Sequence, residues 1–182
     1  MRRSRARRST AGLLALLCFA LLAGPLAAQQ MSEQAVKAGF VYNFIKFTQW
    51  PMAHEEDNKQ PLLICVTSDK PLDGHIDRLS GRNVGGRTID IKTNVGVNDW
   101  AGCDVLFIAK SDEHQIAAYL RSLGSAPVLT VGDAPGFTKD GGMIGLRMAD
   151  SRVKFDVNLG SAQRAGLQLN SQMLKLAGEV LK

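Results

Sequence analysis

Two cysteines are the residues of this chain with the clearest capacity for covalent chemistry. Cys65 lies within an apolar run of strand length, and Cys103 immediately precedes another such run 38 residues later. In an oxidising compartment this pair predicts a disulfide, which would add about 3–4 kcal/mol of stability by restricting the unfolded chain. The alternative is two buried free thiols on neighbouring strands.

Metal and nucleophile chemistry has little support in the sequence. His54, His75 and His114 lie in or beside polar loops and helix starts, and none has a partner at metal-site spacing. The chain also lacks a Gly-x-Ser-x-Gly elbow, a P-loop and a dinucleotide fingerprint. We therefore predict no catalytic residue, no metal and no cofactor, and a protein that is not an enzyme.

Two aspartates are candidates for a ligand or acid role. Asp133 follows a predicted strand in the loop Gly-Asp-Ala-Pro-Gly, at the end of a parallel strand where α/β folds bind ligands. An aspartate in such a loop is also a common turn former. Asp104 adjoins Cys103 at a strand start, where we expect a solvated edge charge.

A predicted hairpin carries a further polar cluster. Residues 143–148 and 153–159 alternate apolar and polar side chains around a short turn, which predicts a hairpin at the sheet edge. Its polar residues include Arg147, Arg152, Asp156 and Asn158. Such an edge could receive a partner protein, but edge charges also prevent aggregation between sheets. The residues support both interpretations.

Short buried strands alternate with helices along the rest of the chain. Strands are predicted at residues 62–66, 88–91, 105–108 and 127–131. Helices are predicted at residues 32–50, 69–79 and 111–123, with a last helix after Asn170 that places Leu174, Ala177 and Leu181 on one face. Glu33 and Lys37 should pair on the outer face of the first helix. The pattern predicts an α/β fold: a mainly parallel, Rossmann-like three-layer sheet with an edge hairpin and flanking helices.

The first 28 residues have the pattern of an export signal. Five arginines precede an apolar run at residues 13–22, and small residues follow it. Removing this segment takes five arginines from the 22 basic residues and leaves 17, equal to the 17 acidic residues. The basic balance of the whole chain is therefore no sign of nucleic-acid binding. We predict a signal peptide at 1–28, a single domain at 29–182 and a periplasmic location.

Several motifs resemble the YfiR/HmsC family. The most specific is the string Tyr-Asn-Phe-Ile-Lys-Phe-Thr-Gln-Trp-Pro at residues 42–51. Further matches follow in the order found in the family, at residues 80–82, 103–108, 141–144, 155–158 and 174–177. The resemblance covers essentially the whole chain after the export signal.

The resemblance implies a regulatory function without chemistry of its own. Proteins of this family are similar in being periplasmic homodimers that bind the sensory domain of a membrane-anchored diguanylate cyclase and repress it. An outer-membrane lipoprotein can sequester the repressor, so the protein would control cyclic di-GMP signalling and biofilm formation. The alternative, motivated by the Asp133 loop, is a periplasmic small-molecule binding or sensing protein.

The resemblance also implies roles for individual residues. Cys65 and Cys103 match one disulfide of the family. A second disulfide does not carry over, because Thr138 and Gly145 occupy the region where it would lie. Ile144 and Asp156 fall on the hairpin region associated with partner contact, and we group Arg147 and Asn158 with them as predicted partner-binding residues.

Overall fold

A computed structural model describes residues 31–51 and 60–182 of the chain. The predicted export signal and His54 lie outside the described residues. The described residues belong to one compact unit, Met31–Lys182.

Within residues 31–51 and 60–182, ten strands and four α-helices form the fold. The helices are α1 (Glu33–Lys46), α2 (Ile116–Leu123), α3 (Leu159–Arg164) and α4 (Ser171–Leu174). The strands are β1 (Thr48–Gln49), β2 (Leu62–Val66), β3 (Asn83–Val84), β4 (Arg87–Lys92), β5 (Val105–Ile108), β6 (Leu129–Gly132), β7 (Ile144–Ala149), β8 (Arg152–Asn158), β9 (Gln168–Leu169) and β10 (Val180–Leu181).

Eight of these strands form one mixed sheet in the order β10-β8-β7-β6-β5-β2-β4-β3. All neighbours pair in parallel except in the β7–β8 and β3–β4 hairpins. The other two strands, β1 and β9, pair with each other in antiparallel fashion. The predicted α/β class with a mainly parallel sheet is confirmed.

Two interior strands of the sheet have the bounds that the sequence predicted. Both β2 and β5 are continuous apolar runs, and all four residues of β5 are buried. Such runs are typical of parallel strands covered on both faces. One apolar cluster, which includes Phe44 and Phe155, lies between the sheet and α1. A second, which includes Trp100 and Phe137, contacts α2. These two clusters make the fold three-layered.

The first helix is shorter than predicted. The predicted helix extended to residue 50, before Pro51, but α1 already ends at Lys46. The Thr48 hydroxyl donates to the carbonyl of Phe44 at 2.8 Å, and Thr48 then pairs with Leu169 in the β1–β9 ladder. The predicted helix at 69–79 is likewise two short 3₁₀ turns, because Leu72 and Asp73 adopt positive φ.

The C-terminal segment differs most from the prediction. The expected last helix stops at Leu174, and the chain ends in strand β10 instead. The Gly178 N–H donates to the Phe155 carbonyl at 2.8 Å, and the Val157 N–H donates to the Glu179 carbonyl at 2.9 Å. These bonds to β8 replace the helical ones. The hairpin is therefore one strand in from the sheet edge where β10 pairs with it, and not at the edge as predicted.

Candidate functional site

An ion pair connects the two strands of the hairpin on its polar face. The Arg147 guanidinium donates to both carboxylate oxygens of Asp156, with Nε–Oδ2 at 2.6 Å and Nη2–Oδ1 at 3.2 Å. The hydrogen bond and charge of Asp156 hold the pKa of Arg147 above its ordinary value, with smaller contributions from Asp150 and Glu179. The Arg147 side chain remains 43% exposed, whereas that of Asp156 is 15% exposed. The hairpin thus presents a fixed cation to solvent.

The C-terminal segment passes directly against this ion pair. A Cβ added at Gly178 would lie 2.6 Å from Arg147 Nη2 and 2.8 Å from Asp156 Oδ1. A side chain at position 178 would therefore displace the Arg147–Asp156 ion pair, whereas glycine leaves the pair in place. This contact was not predicted from the sequence, where its only signal is an isolated glycine within the predicted last helix.

A groove adjoins the ion pair and joins two regions that the sequence suggested separately. It has a volume of about 400 Å³ and is lined by Arg147, Asp156, Glu179 and the loop at residues 133–139. The loop follows β6, at the carboxyl end of a parallel strand. The Phe137 ring anchors the loop, because it packs so closely on Gly132 and Gly142 that neither position has room for a Cβ.

Asp133 is held in place by the first helix. Its Oδ2 lies 2.9 Å from Lys37 Nζ, and its Oδ1 accepts the Lys110 N–H at 3.0 Å. Lys37 also contacts Glu33 at 2.8 Å and is 5% exposed, so its predicted place on the outer face is wrong. Burial alone would lower the pKa of Lys37, but the bonds to Glu33 and Asp133 together raise it. The Asp133 carboxylate therefore fastens the loop to α1.

The other two predicted partner-binding residues contribute to the framework of the hairpin. Ile144 is fully buried in the core, so the structure does not bring its side chain to the surface. Asn158 accepts the Ser161 N–H at 2.9 Å as the N-cap of α3, and its amide donates to the Thr138 carbonyl at 2.9 Å. Of the four residues, Arg147 and Asp156 are those that line the groove.

The structure joins Cys65 and Cys103 in a disulfide, with their Cα atoms 6.0 Å apart. Both residues are fully buried. The bond connects β2 to the turn that precedes β5, within the apolar cluster that includes Trp100. Its position inside the core makes it a structural cross-link.

Asp104 is not the solvated edge charge that the sequence suggested. It is 3% exposed, and Arg87 donates to both of its oxygens, at 2.8 and 2.9 Å. The Leu63 N–H donates to Oδ2 at 2.7 Å. The carboxylate thereby connects β4, β2 and the start of β5. The sequence could not show this, because Arg87 reaches Asp104 from another strand.

Thr138 and Gly145 lie next to each other, and this contact leads to a prediction. An ideal Cβ at Gly145 would lie 3.3 Å from Thr138 Cγ2. The sulfur of a cysteine at position 138 could occupy the place of Cγ2, so the two positions lie within reach of a disulfide bond. We expect the double variant Thr138→Cys/Gly145→Cys to form a second disulfide in oxidised protein. Peptide mass spectrometry without reductant would detect it.

A matched variant controls for accidental pairing of new cysteines. Thr138→Cys/Ala149→Cys places the second cysteine at the far end of β7, so both introduced thiols should stay unpaired and be alkylated in denaturant. If both thiols of the 138/145 variant are also alkylated after oxidation, the two positions are not adjacent as described.

The described histidines, His75 and His114, do not line the groove beside Arg147 and Asp156. His75 lies 3.3 Å from the Ser32 hydroxyl, and the exposed His114 lies 3.9 Å from Glu113. Within residues 31–51 and 60–182, no group of three or more His, Cys, Asp or Glu side chains could hold a metal ion. None of the helices in these ranges is long and apolar enough to cross a membrane.

Comparisons with known proteins agree with the fold. Residues 34–178 match the family described as YfiR/HmsC-like. Among solved structures, a conserved domain protein from Vibrio cholerae has a TM-score of 0.54 at 10% identity, over 83% of this chain and 61% of that one. An ABC domain from Streptococcus pneumonia, solved in complex with L-Trp, has a TM-score of 0.52 at 11% identity, over 82% of this chain and 60% of that one. The chain thus spans about three-fifths of each of these structures, which are similar in fold.

Proposed function

The chain belongs to the YfiR/HmsC-like family, and from this premise we propose that it is an exported periplasmic regulator of a membrane-anchored diguanylate cyclase. It binds the periplasmic sensory domain of the cyclase and represses it, which lowers cyclic di-GMP and restrains biofilm formation. The observation that carries the proposal is the family match, which extends over residues 34–178. In this function the protein acts by binding and carries out no reaction.

The polar face of the hairpin is the surface that we assign to the cyclase. Asp156 fixes the Arg147 guanidinium, so little side-chain entropy would be lost when a partner contacts it. The groove of about 400 Å³ beside the pair offers a recess for a side chain of the partner. To repress, the protein must bind the inactive arrangement of the cyclase more tightly than the active one.

The remaining parts of the proposal concern assembly and location. We propose that residues 1–28 direct export, that the protein forms a homodimer and that an outer-membrane lipoprotein sequesters it to relieve repression. These steps are supported by the family and by the arginine-rich, apolar start of the chain.

A pull-down from detergent-solubilised membranes tests the function. The oxidised protein lacking residues 1–28 is the bait, recovered proteins are identified by mass spectrometry, and cyclic di-GMP synthesis is measured with and without the bait. We expect recovery of a diguanylate cyclase whose activity falls when the bait is added. Folded, oxidised bait that recovers no cyclase from native membranes would contradict the proposal.

The surface assignment has its own test. Asp156→Arg should weaken binding to the cyclase sensory domain about tenfold or more, because it reverses a charge beside the groove and releases Arg147. The dissociation constant measured by calorimetry with the isolated sensory domain would show this.

Two further variants separate binding from folding. Arg147→Asp/Asp156→Arg restores an ion pair with reversed charges, so it should keep the melting temperature while still binding weakly. Asp90→Arg changes an exposed strand aspartate near the opposite end of the sheet and should bind normally. Unchanged affinity in both hairpin variants would remove Arg147 and Asp156 from the interface.

Small-molecule sensing is the second candidate function. The supporting observation is the groove at the end of β6, in the position where α/β folds commonly bind ligands. A thermal-shift screen of dialysed protein against periplasmic metabolite pools tests it, and melting temperatures that no pool changes would count against it. The two functions are compatible, since a ligand in this groove would lie beside the surface assigned to the cyclase.

A further inference from the structure

A second groove lies at the end of the sheet where the parallel strands begin, away from the Asp133 loop at their carboxyl ends. It has a volume of about 340 Å³ and lies between the end of α2 and the helix α3. Two arginines line it from different layers of the fold: Arg121 on α2 and Arg164 on α3. Both side chains are exposed, and in the described part of the chain neither guanidinium pairs with a carboxylate. The groove therefore presents two cations without counter-charges bonded to them.

Two buried hydroxyls also line this groove. Thr130 is 1% exposed, and its oxygen accepts the Met143 N–H at 2.9 Å. Ser161 is 7% exposed, and its oxygen accepts from Arg164 Nη2 at 2.8 Å. Each hydroxyl carries one donor hydrogen, and for neither hydrogen does an acceptor lie among the described residues. Buried donors normally have a partner, so these two favour a ligand that supplies acceptor oxygens.

The rest of the lining sets the charge and shape of the site. Leu120, Leu123 and Met143 form an apolar wall, and Asp140 adds one negative charge. The formal charge of the groove is therefore +1. An anion with an attached apolar group would fit both the donors and the wall.

We propose that this groove binds a small organic phosphate. A phosphate monoester offers three terminal oxygens and up to two negative charges, enough for two guanidiniums and two hydroxyls together. A carboxylate offers two oxygens and one charge, which leaves part of this donor set unused. Arg164 is already oriented by Ser161, so part of the site exists before the ligand arrives. The site is independent of the surface proposed for the cyclase.

Isothermal titration calorimetry of the whole oxidised protein tests this site. The probes are phenyl phosphate, inorganic phosphate, benzoate and benzyl alcohol, each at low and high salt. We expect phenyl phosphate to bind one per chain and more weakly at high salt, and inorganic phosphate to bind less tightly because it lacks the apolar group. Benzyl alcohol should give no binding heat. Absence of phenyl phosphate binding would overturn the proposal, and benzoate binding as tight as that of phenyl phosphate would overturn the assignment to phosphate.

Variants then locate the binding to this groove. Arg121→Ala and Arg164→Ala should each weaken phenyl phosphate binding about tenfold or more, the loss expected for a charge-assisted hydrogen bond. Asp140→Asn should tighten binding, because it removes the negative charge from the lining. Arg78→Ala, at an exposed arginine outside the groove, is the matched control and should bind normally. Normal binding by Arg121→Ala/Arg164→Ala would place the anion elsewhere and contradict the site.

Discussion

Asp104→Asn should lower the free energy of unfolding by about 3 kcal/mol, since it removes one charge from a buried ion pair. The asparagine side chain has nearly the same shape, so the loss would come from electrostatics and not from packing. Arg87, whose side chain is 13% exposed, would keep its charge without a carboxylate partner. The Leu63 N–H would lose its charged acceptor. Denaturant unfolding followed by circular dichroism would measure the change.

Asp90→Asn is the matched control for this prediction. Asp90 lies on β4, the same strand as Arg87, but its side chain is exposed. The same chemical change there should alter the unfolding free energy by less than about 0.5 kcal/mol. Equal unfolding midpoints for the Asp104 and Asp90 variants would show that the buried ion pair adds nothing to stability.

Replacing both Cys65 and Cys103 with alanine should cost about 3–4 kcal/mol of stability. The bond closes a loop between residues 38 positions apart, and removing it returns conformational entropy to the unfolded chain. Loss of both buried sulfur atoms would add a packing cost. The measurement is the unfolding free energy of the double variant against that of the oxidised parent.

The parent protein under reducing conditions separates these two effects. It lacks the cross-link but retains both sulfur atoms, so its stability should lie between that of the oxidised parent and that of the double variant. Because both cysteines are fully buried, reductant should act on the native protein only as fast as the protein opens. Rapid reduction of the native protein, without any change in stability, would contradict a structural role for the bond.

The strands that the sequence predicted correctly are those whose identity depends on local pattern. The continuous apolar runs of β2 and β5 have the predicted bounds because a strand covered on both faces needs apolar residues at every position. The β7–β8 hairpin was also evident, since its alternation and turn are adjacent in the chain. The three-layer arrangement followed from the order of these elements.

The sequence predictions were wrong where residues distant in the chain determine the local structure. The C-terminal residues have an apolar pattern compatible with a helix, but hydrogen bonds from Gly178 and to Glu179 hold them against β8. Lys37 has the spacing of a surface ion pair with Glu33, but Asp133 draws it into a buried position. Neither partner can be identified from local sequence, because each comes from a different part of the chain.

The candidate site, like the fold, was predicted in part. Arg147 and Asp156 were identified from their positions on the hairpin, and the structure pairs them beside a groove. Ile144 was grouped with them, but the strand alternation places it in the core face. The groove at Arg121 and Arg164 was not anticipated, since its lining comes from two helices, strand β6 and two connecting segments whose relative positions the sequence does not reveal.

The pairing of β1 with β9 has a consequence for the order in which this chain can fold. Thr48 contacts Leu169, and Phe44 packs on Phe155, so the first helix depends on residues from the other end of the domain. Because these partners are more than 100 residues away in the chain, the first helix gains them only after most of the chain has been synthesised. If residues 1–28 direct export as proposed, this delay would favour translocation, because a chain that completes its core late stays unfolded for longer.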